Sequence, residues 1–266
     1  MKKIGFLGLG AMGLPMTKNI LKAGYDTYVL SRSRPPIEEA ISYGAIEVSS
    51  PKELIETVDI LCTCLPVPHT IIQVYEGSNG IIEGISEGKI VIEHSTINPE
   101  LSKRISDQIT ARGGEFIEAP ISGGSIGATQ GMLTIMCGGK KMVFRDCFNL
   151  LKVNGENLLY VGPIGSASTY KLINNMLFIA NFTALSEAYR LGKNAGINLQ
   201  LLFDIIRRST GYSKALDWVL EKEDNMERVF SLLENELFLK DKRLVTDMAN
   251  NLNVSLMIQN THSNAT

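Results

Sequence analysis

The stretch that decides the fold is Lys3-Ile4-Gly5-Phe6-Leu7-Gly8-Leu9-Gly10-Ala11-Met12-Gly13. Residues 3–8 read as a strand, residues 12–23 read as a helix, and the glycines between them are spaced G-x-G-x-x-G. Alone that spacing says little; here it has the strand before it and the helix after it that a dinucleotide turn needs. In such a turn Gly8 permits the tight bend, Gly10 lets a pyrophosphate approach the backbone, and Gly13 lets helix and sheet touch. The first-turn N–H groups then face the phosphates. Gly8, Leu9, Gly10, Ala11, Met12 and Gly13 are therefore the expected cofactor cradle.

Outward from the turn, short apolar runs alternate with helix-length amphipathic segments. Residues 27–30, 60–65, 90–93, 116–119, 133–137 and 158–161 read as strands, and residues 51–58, 99–112 and 141–152 as helices. This alternation predicts an α/β domain with a parallel, doubly wound Rossmann-type sheet over residues 1–163. Asn98-Pro99-Glu100 reads as a helix start, with a cap, a proline in the first turn and an acid near the positive end. After Gly165 the pattern changes. Residues 168–195 hold no proline, and no glycine before Gly192, so a helix of about 40 Å is expected. Residues 199–208, 213–222 and a continuous 226–251 complete an all-helical domain over 164–266, built on that long interdomain helix.

The 266 residues are 44% hydrophobic and 20% charged with a net charge of -2, so no nucleic acid or anionic membrane is expected as partner. No apolar run reaches the roughly 18 residues of a membrane helix, and no signal-peptide pattern opens the chain. A cytoplasmic protein is expected. Four cysteines do not make a disulfide framework, and Cys62 and Cys64, about 7 Å apart on one strand face, suit no bridge. His69, His94 and His262 stand at no ligand spacing, so no metal site is expected. Met132, Met136 and Met142 read as core filler.

The segment G-F-L-G-L-G-A-M-G-L-P-M-T-K-N-I-L-K-A-G resembles the opening signature of the β-hydroxyacid dehydrogenases, which include 3-hydroxyisobutyrate dehydrogenase and tartronate semialdehyde reductase. The likeness continues through C-L-P-V-P-H-T, I-E-H-S-T-I-N-P, E-A-P-I-S-G-G-S-I-G-A, G-M-L-T-I-M-C-G-G, K-L-I-N-N and F-L-K-D. The resemblance implies hydride transfer between a nicotinamide cofactor and a small β-hydroxy acid or its semialdehyde. It implies cofactor contacts at Leu65, Pro66, Thr70 and Thr96, and a carboxylate-holding loop at Ser122, Gly123 and Gly124. It also implies a catalytic Lys171 with Asn175 as its helical companion, and Lys240 reaching the active site from the second domain. Relatives form dimers or tetramers, so a homodimer or homotetramer is expected. Leu172, Ile173, Met176, Leu177, Ile179 and Ala180 on the long helix cover more than one stripe.

The physical chemistry of these positions agrees. A Ser-Gly-Gly turn offers unobstructed backbone donors and a hydroxyl to a small carboxylate. Lys171 and Asn175 are i and i+4, hence on one helix face, and a carbonyl receiving hydride needs a positioned proton donor. NADP rather than NAD is expected. The acid that holds the ribose hydroxyls in NAD users, at the end of the second strand, is replaced by Ser31-Arg32-Ser33-Arg34, where a guanidinium and hydroxyls suit a 2′-phosphate.

His69, His94, Arg207 and Arg208 carry no assigned role, the arginines reading as a solvated helix end. The sequence departs from the family pattern at Glu93 and Glu118 (commonly aspartate), Ala167 (commonly glycine) and Ser168 (commonly glutamine). It also stops at Q-N-T-H-S-N-A-T, where relatives continue for another helix. That motivates an alternative, a dinucleotide-binding protein with little or no catalysis. An imine-reducing relative is weaker because the carboxylate loop is present.

Overall fold

Residues 4–7, 60–63 and 90–93 are buried at every position, as predominantly apolar runs must be when helices cover both faces of a sheet. In the computed structural model, which describes residues 2–222 and 225–256, they form β1 (Ile4–Leu7), β4 (Ile60–Thr63) and β5 (Ile90–Glu93). The other strands are β2 (Thr27–Leu30), β3 (Ile46–Glu47), β6 (Glu115–Glu118), β7 (Ile121–Ser122), β8 (Leu133–Gly139) and β9 (Gly155–Gly162). Their order is β3-β2-β1-β4-β5-β6-β8-β7, with β9 on β8. From β3 to β6 every pairing is parallel. The doubly wound sheet is thus present, and its parallel run ends where β8 joins β6 antiparallel.

Each face carries its own core. One gathers Phe6, Met16, Val29, Ile92 and Ile135, the other Leu54, Leu61, Ile71, Val91 and Ile105. Helix Pro99–Thr110 begins as its sequence predicts, with Asn98 Oδ1 accepting from Leu101 N at 2.8 Å. Met136 is buried as expected, but Met132 and Met142 are 50% and 74% exposed. The first follows the left-handed Gly131 turn and the second lies in the first turn of helix Lys141–Asn154.

The chain divides into two compact units, one ending at Lys171 and one beginning at Leu172. Helix Ser166–Asn194 runs 29 residues, uninterrupted because nothing before Gly192 breaks it. Gly196, at φ +69°, turns the chain out afterwards. In the second unit Leu172 packs with Leu244, Val245 and Met248, and Phe182 with Leu185, Leu216 and Phe230, while Ile173 and Leu177 stay exposed.

The continuous helix expected over 226–251 is broken. Met226–Phe230 passes into a 3-10 turn, Ser231–Glu234, and Asn235 is extended at φ -70°, ψ 142°. Its Oδ1 accepts from Leu237 N at 3.0 Å, so a new helix, Glu236–Asn251, starts there. An asparagine bonds the backbone better as a cap than inside a helix. The terminal Q-N-T-H-S-N-A-T lies outside the described residues. Among the described residues no helix is long and apolar enough to cross a membrane.

Removing the Asn98 cap should cost about 1 kcal/mol. Asn98→Ala should lower Tm by about 2–4 °C in a calorimetric scan; an unchanged Tm would show that the Leu101 amide finds another partner at no cost.

Candidate functional site

The turn after β1 is shaped by contacts that only glycine allows. Gly8 stands at φ +100°, and a Cβ there would meet Cys64 O at 2.3 Å. At Gly13 a Cβ would lie 1.9 Å from Gly8 O, so strand end and helix start touch backbone to backbone. At Gly10 a Cβ would meet nothing within 4 Å. Leu9 instead buries its side chain in the core at 3% exposure, leaving its backbone N–H to donate to Ser31 Oγ at 3.4 Å. Helix Gly13–Lys22 has no side-chain cap bond and no acid in its first turn. An exposed glycine backbone beside an uncapped, acid-free helix start fits a pyrophosphate.

The loops after β2, β4 and β5 follow neighbouring parallel strands, because Leu7 pairs with Leu30 and Thr63, and Thr63 with Glu93. They carry Ser31, Arg32 and Ser33, then Leu65, Pro66 and Thr70, then Thr96. Crevices at the carboxyl ends of such strands are where open α/β sheets bind ligands. Arg32 is exposed and makes no ion pair among the described residues, whereas Arg34 is tied to Glu38 and Glu47. Thr70 is buried in the first turn of helix Pro68–Glu76, and Leu65 N donates to Ser95 Oγ at 2.7 Å.

Ser122 ends β7, and Gly123 and Gly124 follow at φ +136° and +65°, two successive left-handed residues that lead into helix Gly124–Gln130. That helix is held from behind by Asn19 Nδ2, which donates to Ala128 O at 2.8 Å. Lys171, in the same unit, is 8% exposed. Asn175 lies one turn further along the helix, in the second unit, where its Nδ2 donates to Asp241 Oδ2 at 2.6 Å. Asp241 also pairs with Lys240, Nζ to Oδ1, at 3.0 Å. Asn175 and Lys240 are therefore joined through Asp241, a residue the sequence reading passed over although it directly follows Lys240.

Glu93, Ser95 and Glu118 were likewise given no role. Glu93 is fully buried, burial raises its carboxyl pKa, and its Oε1 accepts from Ser95 N at 2.7 Å. His94, also unassigned, is structural: it stacks on Phe6, its Nδ1–H donates to Ala119 O at 2.8 Å, and burial lowers its pKa to about 4. Acids at the ends of otherwise apolar strands were the available signal, since a buried carboxylate needs partners. His69 is exposed, and Arg207, at its helix end, pairs with Asp217. No group of three metal-ligating side chains occurs among the described residues, and all four cysteines are free thiols.

Residues 3–162 match the model of the NAD binding domain of 6-phosphogluconate dehydrogenase. Residues 165–265 match the model for NAD-binding of NADP-dependent 3-hydroxyisobutyrate dehydrogenase. The mitochondrial 3-hydroxyisobutyrate dehydrogenase of Rattus norvegicus is 38% identical over 208 residues, which is 78% of this chain; the match spans 62% of that protein's length. The 2-(hydroxymethyl)glutarate dehydrogenase of Eubacterium barkeri is 32% identical over 83% of this chain and 73% of its own. Among solved structures, the 3-hydroxyisobutyrate dehydrogenase of Salmonella typhimurium superposes with a TM-score of 0.85 at 26% identity, covering 98% of this chain and 91% of that one. A glycine turn built to admit a dinucleotide, a parallel sheet followed by a long-helix domain, and matches along both parts lead to one assignment: the chain belongs to the β-hydroxyacid dehydrogenase family.

Proposed function

We propose that this protein is an oxidoreductase that moves hydride between NADP(H) and a small β-hydroxy acid or its semialdehyde. The observation that carries the reading is Lys171, a lysine only 8% exposed, in the same compact unit as the Gly8–Gly13 turn. A buried ionisable side chain in the unit that carries a dinucleotide turn is a candidate for proton handling. When bound, the nicotinamide supplies or accepts the hydride. The protein's part is to hold the substrate and handle the proton. The backbone of Ser122, Gly123 and Gly124 and the Ser122 hydroxyl receive the substrate carboxylate. Lys171 Nζ gives its proton to the carbonyl oxygen as that oxygen becomes an alkoxide, and in the reverse direction the neutral amine takes it back. Asn175, on the same helix face, orients the reacting oxygen, and Asp241 fixes the Asn175 amide. Exposed Ile173 and Leu177 on the long helix support association of copies into a homodimer or homotetramer.

Losing a general acid costs roughly a hundredfold to ten-thousandfold in rate. Lys171→Ala should lower kcat on a semialdehyde panel by that range, with NADPH affinity within twofold of wild type. Turnover within a few-fold of wild type would overturn the role, and NADPH binding by the wild type without turnover of any small semialdehyde would favour a binding protein.

The NADP preference rests on Arg32, which is exposed beside the second strand while Arg34 is already held by two carboxylates. The description of the second matching family model points the same way. A charge-assisted bond to phosphate is worth about 1.5–3 kcal/mol, roughly ten- to a hundredfold in affinity. Wild type should show a kcat/KM for NADPH at least tenfold above that for NADH, and Arg32→Ala should erase most of this difference. A wild-type preference for NADH, or equal loss of both cofactors in Arg32→Ala, would contradict it.

A further inference from the structure

Glu118 ends β6 at 1% exposure, deep between the sheet and the start of the long helix. Its carboxylate accepts three hydrogen bonds: Oε1 from Ala167 N, and Oε2 from Ser168 Oγ and from Ser102 Oγ, each at 2.7 Å. Room for it exists because the residue paired with it on β8 is Gly138, where a Cβ would meet Oε1 at 2.4 Å. The first N–H groups of a helix have no partner within the helix. Here one of them, Ala167 N, is satisfied by a carboxylate from a distant strand, an arrangement the helix dipole favours. Two anchors on adjacent residues, one through the backbone and one through a side chain, fix both the axial position and the rotation of the helix start. Lys171 is i+3 from Ser168, so it stands above Ser168 on the same helix face.

We infer that Glu118 is the positioning residue of the proton donor: it sets the rotation and depth of the first helical turn, and thereby where Lys171 Nζ stands. The inference rests on the reading of Lys171 as general acid and base. In this role Glu118 acts only through its bonds to the helix start and takes no part in the chemistry. A displacement near 1 Å at a reacting group can cost roughly a hundredfold in rate. A shift of the helix start should therefore appear in kcat before it appears in cofactor binding.

The test compares Glu118→Asp, Glu118→Gln and Ser168→Ala with the wild type. Asn198→Ala, which removes the cap of helix Leu199–Arg207, serves as a destabilised control away from these contacts. Glu118→Asp draws the carboxylate back by one methylene and should lower kcat more than tenfold, with NADPH affinity within twofold and an unchanged circular dichroism spectrum. Glu118→Gln keeps the length and one acceptor oxygen, and the two serine hydroxyls can rotate to accept from its amide; it should recover kcat to within threefold of wild type. Ser168→Ala, which leaves the carboxylate in place, should lower kcat at least threefold, whereas Asn198→Ala should leave it within twofold. Should Glu118→Asp fail to fold, Ser168→Ala decides alone. Folded Glu118→Asp and Ser168→Ala with wild-type kcat would overturn the inference, as would kcat losses matched by Asn198→Ala, which would mark Glu118 as a stabilising residue only. Lys171→Ala separates the two claims. If it retains activity, the general-acid reading has failed. If it loses activity while folded Glu118→Asp keeps wild-type kcat, only the positioning inference has failed.

Discussion

The carbonyl of Gly8 occupies the place where a side chain on residue 13 would begin, 1.9 Å from the position of its Cβ. This close approach lets helix Gly13–Lys22 start directly behind β1. Met16 and Ile20 of that helix then reach the core with Phe6 and Val29. Asn19, on the same helix, holds the carbonyl of Ala128 and so supports the helix that follows Ser122, Gly123 and Gly124. One backbone contact between two glycines thus fixes the turn expected to face the cofactor and, through a single helix, the loop expected to face the substrate.

A second constraint joins the other end of the sheet to the long helix. Glu118 is buried with three donors, and replacing a buried hydrogen-bond acceptor without its geometry leaves those donors unsatisfied. Glu118 and Ser168 are two of the places where the sequence departs from the family pattern it resembles. Read separately, neither points to the other as its partner. In the structure they meet at 2.7 Å, a longer carboxylate on the strand facing a shorter side chain on the helix.

What was legible in the sequence follows from range. The runs at 4–7, 60–63 and 90–93, the glycine turn and the Asn98 cap are local patterns, and their structural reading holds. β3 and β7 are two residues each, too short to show any periodicity. Helix Arg34–Ser42 contains two prolines, yet both sit in its first turn, where a missing N–H costs nothing. The break at Asn235 has a local signal, an asparagine free to cap, which an otherwise helical pattern outweighed. The partnerships of Glu118 with Ala167 and of Asn175 with Asp241 span 49 and 66 residues. No spacing rule reaches that far.

Every role proposed for the site depends on whether the backbone at Gly10 faces a dinucleotide pyrophosphate. Gly10 has open space where a Cβ would stand, and its φ is not left-handed, so alanine there should change stability by no more than about 1 kcal/mol and Tm by about 4 °C or less. The most direct measurement is a fluorescence titration of NADPH into wild type and Gly10→Ala, each accompanied by a thermal melt. The predicted result is a variant that melts like the wild type and binds NADPH at least tenfold more weakly. A Gly10→Ala protein that binds NADPH with wild-type affinity would contradict the account.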